Sequence, residues 1–188
     1  MVASYEASGR EPEANAFAAE LLMPEELASP LCDVRAVSWD VVRVVAETFS
    51  VSMTAAAMRF VSLTPERVCL VCAREGVVLW TAATDDFGPR PQRQSRVQPF
   101  TESYDWFTKN TIEPRPQTVD ASAWIASASD DETLVEHVFT IPRHEPALAR
   151  CVIDLRLWAL INELSSRSSA ARRVVGVFSG SATRHRRT

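Results

Sequence analysis

Histidine is scarce in this 188-residue chain. There are three, and the first is His137. Chemistry that needs paired imidazoles is therefore missing from the first two-thirds of the sequence. Only five glycines occur, which excludes collagen-like and glycine-rich low-complexity classes. No heptad repeat runs through the chain, so a coiled coil is excluded as well. Cysteine is limited to positions 32, 69, 72 and 151, too few for the disulfide framework of a secreted domain. Lys109 is the only lysine among 20 basic residues. That arginine bias, with many alanines, is the coding signature of a GC-rich bacterial genome and says nothing of function. No uncharged apolar run approaches the ~18 residues of a membrane span. The most apolar stretch, Cys151–Ile161, is interrupted by Asp154 and Arg156. The opening MVASYEASGREPE has neither the basic nor the apolar region of a signal peptide. The expectation is a cytoplasmic protein with no membrane partner.

The composition that remains is that of an ordinary globular protein, with 46% hydrophobic and 23% charged residues. A chain this long buries roughly 70% of its unfolded surface, enough for a core without staples. One domain or two small lobes both suit the length. The net charge of −4 argues against a dedicated nucleic-acid binder. Its distribution is uneven. Residues 1–33 carry Glu6, Glu11, Glu13, Glu20, Glu25, Glu26 and Asp33 against Arg10 alone. Residues 167–188 carry Arg167, Arg172, Arg173, Arg184, Arg186 and Arg187 and no acid. The chain is acidic at its head and basic at its tail. No internal repeat is visible.

The pattern from Glu11 to Met23 is helical, with Ala14, Phe17 and Leu21 on one face and Ala18 and Leu22 beside them. Pro12 is tolerated in a first turn, and Glu11 and Glu13 suit the positive end of the helix dipole. Pro24 ends this helix or starts the next through Glu25–Leu27. A further helix is expected from Ser38, as N-cap, to Thr48, with Val41, Val42, Val44, Val45 and Phe49 apolar. Ser50–Ser52 breaks it, and a third helix follows from Met53 to Leu63 with Ala56, Phe60 and Leu63 inward. Val68–Ala73 and Val77–Ala83 read as a hairpin turning at Arg74–Gly76. Residues 85–120, rich in Pro, Gln, Ser and Arg, read as an extended loop or linker with a short helix near Tyr104–Phe107. Ala121–Ser127 and Val135–Ile141 read as strands, and Pro146 to about Ser165 as a closing helix. The tail from 167 is basic and expected to be disordered.

The most specific string is E-P-E-A-N-A-F-A-A-E-L-L-M-P, Glu11–Pro24. It resembles the ImmA/IrrE family of bacterial zinc metallo-endopeptidases, in which E-x-x-A-N/D-x-F-A-x-x-L-L-M-P follows a His-Glu-x-x-His helix. Val45–Ser52 with Arg59 resembles the same family's L-A-x-x-F-x-V-S…R segment. Cys69–Val71, Val78–Trp80 and Val119–Trp124 resemble its β-rich C-terminal part. The resemblance reaches from Glu11 to about Ala149. It implies that Glu11 is the third zinc ligand and that Asn15, one turn on, orients it. Residues four apart share a helix face, so an amide there can hold a ligating carboxylate. Without the resemblance, Glu11 reads rather as a solvated first-turn acid favourably placed by the helix dipole. It further implies zinc as cofactor, and a helix-turn-helix repressor or antitoxin as partner and substrate. Such proteases act in stress responses and in the derepression of mobile elements.

A zincin also needs two histidines at i and i+4 with a glutamate between them. No such pair exists here. His144-Glu145 begins the motif, but position 148 is Leu; Glu136-His137 could end an inverted one, but position 133 is Thr. One carboxylate cannot hold a catalytic zinc, and no general base is placed to activate water. The chain is therefore expected to be N-terminally incomplete and inactive as given, with no catalytic residue of its own. It would be a truncated product, one with a misassigned start, or a degenerate copy. Cys69-x-x-Cys72 lies in a β run, which sends the two thiols to opposite faces and makes them core residues. Cys32 and Cys151 read as buried fillers, and His137 and His144 as structural or surface residues. Val41–Leu63 has the outline of a helix-turn-helix, but Arg59 is the only charge on its second helix, so the segment reads as packing. The five tryptophans are spread along the chain and suit core packing.

The expected fold is α+β. Residues 1–63 would be the remnant of a zincin-like helical lobe, 64–166 a small β-rich lobe with its closing helix, and 167–188 the tail. With its first helices missing, the helical lobe should be open, leaving Phe17, Leu21 and Leu22 in an exposed apolar patch that invites a partner or a homo-oligomer. The alternative to a metallo-endopeptidase-like protein is a non-catalytic interaction or regulatory module. A DNA-binding regulator is a third and weaker reading.

Overall fold

The computed structural model describes residues 11–129 and 131–140, with 11–12 and 151–157 described by their backbone alone. Four helices come first: α1 (Glu11–Leu22), α2 (Glu25–Cys32), α3 (Trp39–Phe49) and α4 (Met53–Leu63). A hairpin follows, β1 (Val68–Arg74) and β2 (Val77–Ala83), then α5 (Glu102–Lys109), β3 (Gln117–Asp120), β4 (Thr133–Thr140) and β5 (Cys151–Leu157). The strands form one antiparallel sheet in the order β2-β1-β5-β4-β3. The α+β class is as the sequence predicts.

Local chemistry sets the boundaries. Ser52 caps α4, its hydroxyl accepting the Ala55 N–H at 3.2 Å. Ser50 ends α3 in the left-handed region, at φ 54°, and the Val51 N–H closes back on the Ala46 carbonyl at 3.0 Å. Thr64 is extended before Pro65, as a residue preceding proline must be. Glu75 and Gly76 have φ of 52° and 75°, the paired positive angles of a tight hairpin turn whose twist matches its strands.

The sheet is covered on both faces. Helices α2–α4 pack on one, where Val42, Val45, Ala56, Phe60, Val68, Leu70 and Cys72 form a continuous core. Cys69, Val71, Ala73, Phe87, Ile125, Leu134 and Val138 form a second core on the other. Cys69 and Cys72 do point to opposite faces, both buried. A bulge between Cys72 and Ala73 leaves Leu79 unopposed and turns both Leu79 and Trp80 toward the helices.

Three expectations are corrected. Residues 85–120 are no extended linker. Phe87 and Val97 are buried under the second face, and the segment bonds to β2 through Val78 N–H to Ser95 O and Gln94 N–H to Val78 O. The strand expected at Ala121–Ser127 lies upstream, at β3, while Ala121–Ala123 is a single 3-10 turn. That turn buries Trp124 and Ile125, which a continued strand would have placed on opposite faces. Finally, the closing C-terminal helix is a strand over Cys151–Leu157. Ile153, Leu155 and Leu157 alternate with Asp154 and Arg156, a period of two over five residues that competes with the looser helical spacing. This strand is inserted between β1 and β4, pairing Val68 with Leu157 on one side and Val135 with Leu157 on the other. The rest of the expected helix, His144 and the 167–188 tail lie outside the described residues.

Adjacent residues of β4 dock one helix on each face. Glu136, fully buried, accepts the Glu102 and Ser103 N–H groups at 3.0 Å each and so satisfies the first turn of α5. His137 faces the other way and takes the N–H of Trp39, the first residue of α3, on its Nδ1 at 3.2 Å. Ser38, the predicted cap, makes no side-chain bond. The Trp39 indole N–H donates to the His137 carbonyl at 2.6 Å, and its ring lies 5.1 Å from that of Phe139. Because Nδ1 accepts, the ring proton sits on Nε2, which is 3.3 Å from the Pro114 carbonyl.

Candidate functional site

The segment singled out by the sequence is α1 and its supports. No described helix or strand packs extensively along α1. Its C-terminal end is pinned by Arg59 of α4, whose Nε donates to the Met23 carbonyl at 2.9 Å. The Arg59 Nη2 pairs with a Glu20 carboxylate oxygen. The other Glu20 oxygen accepts the Glu25 N–H at 2.9 Å, so one acid ties α1 to both α2 and α4. That backbone bond, and then Arg59, hold the Glu20 carboxyl below its ordinary range. Met23 is the buried plug beneath this joint, at 2% exposure. Nearby Cys32 is buried against α3 and α4, and desolvation pushes its thiol up to about 11 despite the pull of Arg59. It is no nucleophile at neutral pH.

Arg59 is the only charge on α4, and its side chain bonds to Glu20 of α1 and to Met23 just after that helix. The helix-turn-helix outline exists, with α3 and α4 meeting at 109°. Yet Ala56, Ala57, Phe60 and Val61 of the second helix are in the core, and its one cation is engaged. No single helix among the described residues is long and apolar enough to cross a membrane.

Glu11 is the first residue of α1 and Asn15 stands one turn later, exposed. The backbone thus gives the pair the i, i+4 relation on which the sequence argument rests. No further donor joins them: among the described residues no group of three His, Cys, Asp or Glu lies close enough for a metal. His137 is spent on docking α3, with its ring nitrogens at Trp39 and Pro114. Among the described residues the donors do not make up a zinc site. What α1 does present is apolar. Phe17, Leu21 and Leu22 are 71%, 69% and 55% exposed, the open face expected from the sequence.

Comparison with known families gives this segment a relative. Residues 3–61 match the IrrE N-terminal-like domain of a peptidase family. The IrrE-like match takes in α1, α2, α3 and most of α4, and stops two residues before α4 ends. It includes Glu11, Asn15 and Arg59 and is metallopeptidase-like in its relationship. The sheet lies beyond it. No curated protein matches the chain.

Sequence reasoning missed one feature outside the IrrE-like segment. A groove of about 600 Å³ opens between the 89–100 segment and residues 120–127, with Arg90, Arg96, Phe100 and Trp124 among its walls. Phe100 stands at its rim, 91% exposed and at φ 68°, an uncommon conformation for a bulky residue. Gln-Pro-Phe carries no motif that would have announced it.

Proposed function

We propose that this chain is a metallopeptidase-like protein of the ImmA/IrrE type that does not cut peptides by itself. Glu11 and Asn15 then mark the position where that family's third zinc ligand and its orienting amide stand. The observation that carries the reading is the pairing of the IrrE-like match over 3–61 with a donor set of one carboxylate. No His-Glu-x-x-His occurs anywhere in the 188 residues. A metallopeptidase needs three protein ligands and a base beside the metal-bound water, and Glu11 supplies at most one of these.

The family's targets, helix-turn-helix repressors or antitoxins of the bacterial cytoplasm, are the partners this reading would keep. The exposed α1 face favours a binding role over a catalytic one, because a contiguous apolar patch is a usual mark of an interaction site.

The test is zinc uptake by the full chain in competition with a chromogenic chelator, beside a cleavage assay on a helix-turn-helix repressor. The expected outcome is weak uptake that Glu11→Ala leaves unchanged, and no zinc-dependent cleavage. Tight, stoichiometric zinc lost in Glu11→Ala, together with chelator-sensitive cleavage, would overturn it.

A further inference from the structure

We infer that Trp158–Thr188 of this same chain covers the open face of α1. Phe17 and Leu21 lie one turn apart on a helix, with Leu22 beside them, and all are more than half exposed. The stretch of chain that carries them has charges of one sign. From Glu11 to Asp33 the chain has acids and no base, and Glu13, Glu25, Glu26 and Asp33 are exposed and form no ion pair among the described residues. An occupant must therefore bring both apolar and basic groups.

Residues 158–188 bring both. Trp158, Leu160, Ile161 and Leu164 come first, and six arginines follow, with Glu163 the sole acid. The segment also starts in the right place. It leaves the sheet at Leu157, which pairs with Val68, just past the end of α4 at Leu63. Arg59, one turn before that end, holds α1. At random-coil dimensions a stretch of this length would span roughly 30 Å, enough to return along α1. A second copy is the poorer occupant, since two acidic α1 surfaces would repel each other.

The experiment places a benzophenone amino acid at Leu21 in the full chain, with a control at Val44, which is 50% exposed on α3. After irradiation the cross-linked peptides are sequenced. Position 21 should link to peptides from 158–188 within single chains, at a yield unchanged by dilution, and position 44 should not. Reversing Arg167, Arg172 and Arg173 to Glu should lower the ratio of covered to open chains about tenfold, as should high salt. Cross-links to a second chain whose yield falls on dilution, or no link from position 21 to the segment, overturn the inference. So do equal yields from positions 21 and 44. No metal and no peptide cleavage enter the readout, so its failure is separate from a failure of the metallopeptidase-like reading.

Discussion

His137→Leu removes the acceptor that satisfies the first N–H of α3. The leucine fills similar space, so the change is chiefly one of hydrogen bonding. The Trp39 N–H is then left buried without a partner, at a cost of about 1–3 kcal/mol. The Pro114 carbonyl loses its ring contact, but Pro114 is exposed and water replaces the contact. The indole bond from Trp39 to the backbone carbonyl of residue 137 survives any substitution. The net expectation is a loss of about 2 kcal/mol, or about 4–8 °C in Tm for a chain of this size. His137→Asn is the matched control. Its amide oxygen stands near the position of Nδ1 and can still accept from Trp39, so its loss should stay below about 1 kcal/mol. Urea unfolding, followed by tryptophan fluorescence and far-ultraviolet dichroism, measures both. If the leucine variant matches the parent, or the asparagine variant falls as far as the leucine one, His137 is not docking α3.

Three further outcomes are expected. Glu136→Gln puts an amide where two buried N–H groups point and should cost about 3 kcal/mol by the same urea assay, with protection lost first in α5. Arg59→Met keeps the apolar stem but frees the Met23 carbonyl and Glu20. Hydrogen exchange over residues 13–23 should quicken by about ten- to a hundredfold while the sheet is unaffected. Cys32 holds its proton more tightly folded than unfolded, so stability should be full below pH 9 and decline as pH rises toward about 11. Cys32→Ala should flatten that decline in a pH series of thermal unfolding.

The helices and the first hairpin were legible because their signals are local. Ser52, Ser50, Pro65 and the Glu75-Gly76 turn act within a few residues of themselves. β5 was not, because its seven residues satisfy a loose helical spacing too, and what makes them a strand is the gap between β1 and β4, formed by distant residues. The same holds for residues 85–100, polar in composition yet held to β2 by backbone bonds that composition does not encode. The string Glu11–Pro24 announced both the IrrE-like match over residues 3–61 and the apolar helix face. The docking role of Glu136 and His137 could not be read, since their partners lie far away along the chain.

The insertion of β5 between β1 and β4 also orders events in time. Until it arrives, the inner edges of both neighbours are unpaired, and the sheet is two separate hairpin-like pieces. On a ribosome adding about 5–20 residues per second, β5 follows β4 after a delay on the order of a second. Through that interval the nascent chain carries two open strand edges of the kind that capture other chains. A chaperone that binds extended apolar segments would find its opening here, and release would coincide with the emergence of residues 151–157.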